Sequence, residues 1–228
     1  MRESFRDAAR AAGLPDETID WWLPLARPRL HLSAEGDGPV LGRFGGTAAA
    51  PLGQLTFLAS VDLAAIPAGS HDLDLPRDGH LLFYSEQDIT PEKFALVHAS
   101  ALPELEGSVP LYGRVAWMLP AERWESTIEL PDGDHDEQAI REVVDGLHYD
   151  DGILAAIGGY GLESTSGIGN PVDSPAKEAL VAQLFLRDDR FDDLFGGSPL
   201  CLLSYLIDHD DLAARRFDQT RLVPDFNG

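Results

Sequence analysis

Apolar residues recur along this chain with two periods. Near the start the period is helical. Phe5, Ala8, Ala9 and Ala12 fall on one side of residues 3–12, Gly13 suits the turn that follows a helix, and Pro15 bars continuation. Ile19, Trp22 and Leu23 predict a second short helix over 16–23, with Asp16 placed to cap it and Pro24 to end it. The period then drops to two. In RPRLHL, Arg29 and His31 share one face of a predicted strand, and Leu30 and Leu32 share the other. Further strands are predicted at 55–63, 79–86, 93–99, 112–119, 183–186, 199–208 and near 220–223, each bounded by proline, glycine or aspartate. Residues 134–147 return to a helical stripe of Ile140, Val143, Val144 and Leu147, and 211–218 read as a helical turn.

The strands come in runs and do not alternate with helices. That predicts an α+β fold with largely antiparallel sheets behind N-terminal helices. An internal echo refines it. Gly45-Gly46 precedes LTFLASVD and then DGHLLFY; Gly158-Gly159 precedes LVAQLFLRD and then GGSPLCLLSYL. Asp62 matches Asp188, and Tyr84 matches Tyr205. The expectation is a single domain over 1–228, built from two similar sheet modules packed together, with pseudo-repeat halves at 28–120 and 150–228.

Charge narrows the function. The chain has 228 residues, 39 of them acidic against 17 basic, for a formal charge of −22. That balance argues against nucleic acid and anionic membranes as partners and would steer a basic protein inward. The single cysteine, Cys201, excludes an intramolecular disulfide and a cysteine-based zinc site. No apolar leader precedes the first helix, and the longest uncharged run, 44–61, is broken by glycine and proline. A cytoplasmic protein is expected.

Several stretches imitate known sites. IGGYGLESTSGIGN (157–170) has the glycines and hydroxyls of a phosphate cradle, but no lysine follows, and Ser164 stands where a dinucleotide fingerprint has its third glycine. FGGSP (195–199) lacks the last glycine of a nucleophile elbow. Asp132, Asp134 and Asp136 have calcium-loop spacing, but Glu137 replaces the turn glycine and Val143 the final glutamate. The clusters at 148–151 and 208–211 read as turn and cap chemistry. No metal, cofactor or catalytic residue is expected. The residues that suit a ligand are the arginine and glycines of RFGG, Arg43, Gly45 and Gly46, together with Asp62, Gly158, Gly159, Tyr160 and Asp188. A ligand site or hydrolase site between the two modules is the alternative to a plain binding protein.

The order of motifs resembles the YwqG-like proteins, a bacterial domain family of unknown function. The similar stretches are RFGGTAAAP (43–51), LTFLASVDL (55–63), LPRDGHLLFY (75–84), IGGYG (157–161), LVAQLFLRDD (180–189) and GGSPLCLLSYLIDHDDLAARRFD (196–218). This chain departs from the family pattern at Ala48, Ser60, Ala155, Gly161 and 195–197, mostly by losing polar residues. The resemblance implies an α+β fold of two similar sheet modules. It also implies a binding role, as in immunity-type neutralisation of a toxin or other basic partner.

Overall fold

The computed structural model describes residues 2–49, 52–86, 93–118, 142–143, 152–161, 177–186 and 200–227. Two helices open the chain, α1 (Arg2–Ala11) and α2 (Asp16–Trp22). The strands are β1 (Arg27–Ser33), β2 (Val40–Phe44), β3 (Thr47–Ala48), β4 (Thr56–Asp62), β5 (His80–Ser85), β6 (Phe94–Ala99), β7 (Leu105–Glu106), β8 (Val109–Met118), β9 (Ile153–Ile157), β10 (Glu178–Leu186), β11 (Leu200–Asp208) and β12 (Arg221–Asn227). A short α3 (His209–Ala213) joins the last two. Of the helix predicted at 134–147, only Glu142 and Val143 lie within the described residues, and both are helical.

Ten strands form one sheet in the order β12-β11-β10-β9-β1-β8-β2-β4-β5-β6, with every neighbour antiparallel. The sheet curls until its two arms meet. Phe83 of β5 and Tyr205 of β11 are far apart in strand order, yet their rings lie 5.0 Å apart, edge to face. Phe94 of β6 reaches the same tyrosine at 6.0 Å, and His98 of β6 meets Phe217 at 5.7 Å. The result is a nearly closed barrel, with one apolar cluster drawn from both arms as its interior. The two-stranded β3–β7 ribbon lies outside it and covers Phe57, Leu82 and Tyr84. The two helices bury Phe5, Ile19 and Trp22 against Trp117 at the end of β8.

This corrects the expected fold class. The protein is mostly β, and it is not an α+β pair of similar sheet modules. The cause is β1. It pairs with β8 on one edge and β9 on the other, so the early strand joins both arms into a single sheet. Its alternation gives two faces, as the sequence predicts, but neither meets solvent. Leu30 and Leu32 enter the barrel, while Arg29 and His31 on the opposite face are 0% and 5% exposed.

Two substitutions test the closure. Phe83→Ala removes the ring that joins the arms and should cost about 3–5 kcal/mol of unfolding free energy. Leu52→Ala, at an exposed position, should change it by less than about 0.5 kcal/mol. Urea titration of both variants measures the difference.

Candidate functional site

The polar face of β1 organises the most built-up part of the molecule. Arg29 is wholly buried, and it is held by neutral acceptors. Its Nη1 donates to the Tyr160 carbonyl at 2.8 Å and to Met118 Sδ at 3.1 Å. Its Nη2 donates to Gln183 Oε1 at 2.7 Å, and Gln183 Nε2 passes the chain on to Ser204 Oγ at 3.0 Å. Burial pushes the Arg29 guanidinium down to about 9, and the negative charge of Asp72 opposes that shift. Tyr160 is fixed a second time, since its hydroxyl donates to the Leu25 carbonyl at 2.7 Å. Burial raises its pKa, and the Arg27 guanidinium lies over its ring, 4.7 Å from the centroid.

Gly158 and Gly159 follow β9, both with φ of +68°. Their bareness has two uses. A Cβ on Gly159 would stand 2.8 Å from the Arg29 Cβ, so only glycine lets the backbone lie across the buried arginine. A Cβ on Gly158 would stand 2.7 Å from Asp72 Oδ1. The Gly159 N–H donates to that same oxygen at 2.8 Å, and Arg27 Nη1 lies 3.6 Å from Asp72 Oδ2. The glycine-rich stretch therefore does cradle an anion, and the anion is the protein's own carboxylate. Asp72 arrives on the long connection between β4 and β5. There His71 Nδ1 accepts a hydrogen bond from the Leu73 N–H at 3.1 Å, and burial lowers the His71 pKa.

Beside this contact lies a cleft of about 420 Å³. Arg27, Asp72, Asp74, Gly159, Glu178 and His209 supply its polar lining. Glu178 is held by two prongs of Arg221, at 2.7 and 2.8 Å. Asp74 is exposed and has no hydrogen-bond or ion-pair partner among the described residues. Among the described residues no group of three or more histidine, cysteine, aspartate or glutamate side chains could hold a metal ion. No helix among them is long and apolar enough to cross a membrane.

Of the residues expected to form a site, the structure gathers Gly158, Gly159 and Tyr160 at this place. Arg43, Gly45 and Gly46 lie elsewhere. Phe44 pairs with Val109 at one end of β8, whereas Pro28, beside the second glycine pair, faces Trp117 at the other. The two glycine pairs are thus separated by most of β8, about 30 Å at ~3.4 Å per residue. Gly45 and Gly46 also have positive φ, and a Cβ on Gly46 would meet the backbone of Glu106 and Ser108, so Gly46 serves close strand packing. Asp62 accepts from the Ala64 N–H at 3.0 Å and closes a turn. Asp188 and the FGGSP stretch lie outside the described residues. Sequence reading missed Arg27, Arg29, Asp72, Asp74, Glu178, Gln183 and His209 as site residues. The available signals were a doubled arginine at a strand start and the D-L-D-L alternation at 72–75.

A family model described as "Domain of unknown function (DUF1963)" matches residues 12–225. The chain belongs to that family. No curated protein matches it.

The lowered His71 pKa carries a stability prediction. A depressed folded value means that the unfolded chain binds the proton more tightly. His71 therefore contributes stability that is fully present above its ordinary value of 6.5 and is lost as pH falls through the folded value. Protonation also removes the acceptor for the Leu73 N–H. The stability lost by wild type between pH 7.5 and pH 5 should exceed that lost by His71→Gln, measured by urea unfolding. Gly159→Ala should cost about 1–3 kcal/mol at any pH, from the strained φ and the clash with Arg29.

Proposed function

We propose that this is a binding protein without chemistry of its own, and that its cleft receives a basic group of a partner protein. The observation that carries this reading is Asp74, an unpaired carboxylate on the rim of a cleft whose other charges are already matched. Arg27 faces Asp72, and Arg221 holds Glu178. A guanidinium or ammonium entering the cleft can pair with Asp74, because the lining cation Arg27 is already faced by Asp72. The formal charge of −22 draws such a group in from a distance. The YwqG-like resemblance supports the same reading through the binding role it implies, as does its expectation of a bacterial cytoplasmic setting. The cleft volume also falls in the range of small-molecule sites, roughly 300–1,000 Å³, so a free basic metabolite is the alternative occupant.

The test uses an arginine-rich peptide, a glutamate-rich peptide of equal length, and free arginine. The arginine-rich peptide should bind, the glutamate-rich one should not, and affinity should fall steeply with salt. Asp74→Asn should weaken binding about fivefold, near 1 kcal/mol. Binding of free arginine as tightly as the peptide would favour the metabolite. Equal binding of both peptides, or no binding of either basic probe, would overturn the proposal.

A further inference from the structure

The seat that Asp72 occupies has the properties of an anion site in its own right. Gly159 presents an N–H to it at 2.8 Å, Arg27 brings a guanidinium within 3.6 Å, and the absent side chain of Gly158 makes room for the oxygen. The buried charge of Arg29 lies behind the same glycines. Asp72 itself is not part of a strand or helix. It rides on a connection whose residues on either side of it, 66–69, 71 and 73–77, wall a second hollow of about 410 Å³. Space therefore exists beside the strap as well as in front of it.

We propose that Gly158, Gly159 and Arg27 form a carboxylate-binding subsite, which the tethered Asp72 fills until a ligand carboxylate replaces it. The subsite takes a small oxyanion, and planar carboxylate is the favoured class because Asp72 is one. Tethering gives Asp72 an effective concentration of about millimolar order, so a weakly binding free anion leaves the strap in place. A displacing ligand needs contacts beyond its carboxylate, and the adjoining cleft offers them. Asp74 and Glu178 on the rim disfavour bulky or highly charged anions, although Arg221 neutralises Glu178. This subsite does not depend on a basic group binding at Asp74, since it uses different residues and the opposite charge.

The experiment empties the seat. The melting temperature of Asp72→Ala is measured with sodium formate, inorganic phosphate or sodium chloride at matched ionic strength. Formate should raise it by several degrees over chloride, because binding to the folded state alone stabilises by linkage. Wild type should show no difference between the salts. Arg27→Leu combined with Asp72→Ala should lose most of the formate effect. Phosphate matching or exceeding formate would overturn the preference for carboxylate. Equal melting in formate and chloride would overturn the subsite. If Asp72→Ala does not fold, Asp72→Ser, which keeps a hydroxyl suited to the turn, carries the same three-salt comparison.

Discussion

One buried guanidinium sets the geometry of this molecule. Arg29 has no carboxylate in hydrogen-bond contact among the described residues. It spreads its donors over a backbone carbonyl, an amide and a thioether. Taking a charge out of water costs several kcal/mol. The cost is offset only if the acceptors stay where they are, so β8, β10 and the turn after β9 are all held in place around β1. Gly159 is required because any side chain there would strike the arginine stem. Tyr160 is placed because its carbonyl is one of the acceptors. The arginine is thus a positioning residue for everything at that end of the barrel.

The charges around it form a graded series from inside to outside. Arg29 is sealed and contacts only neutral groups. Arg27, one turn of the pleat further out, meets Asp72 across a gap of 3.6 Å and stacks on Tyr160. Glu178 and Arg221 match each other near the rim, and Asp74 stands open to water. Burial is complete at Arg29, partial at both ion pairs and lost at Asp74. The outer members can exchange partners at low cost, whereas the inner one cannot. A ligand that enters meets the adaptable end first.

Much of the local structure was legible in the sequence. Alternation located β1, apolar runs bounded by turn residues located β4, β5, β6, β8 and β11, and the 3.6 period located both N-terminal helices. β2 and β9 were missed because each ends in a glycine pair, and paired glycines read as loop. The global arrangement was not legible for a physical reason. Whether Arg29 and His31 face solvent depends on what lies across the sheet, and the partners of Arg29 are 89, 131 and 154 residues away. Local period cannot report such pairings. The site followed the same rule. Gly158, Gly159 and Tyr160 were recognisable by type, and the glycines did prove to hold an anion. That the anion is Asp72 depends on a crossing of the barrel that no spacing encodes.

The central position of β1 also bears on biosynthesis. It is made before every other strand of the sheet, yet both of its edges belong to strands made much later. Arg29 waits for Tyr160, 131 residues on, which at ~5–20 residues per second is on the order of ten seconds. Until β8 is made, an apolar strand carrying a charge destined for burial has no native neighbour, and its β9 edge stays open for the rest of that interval. Three of the nine pairings in the sheet, β1–β8, β1–β9 and β2–β8, join strands far apart in the chain, and such pairings slow spontaneous folding. Late closure of this kind leaves strand edges open for longer, the condition under which partly made chains associate.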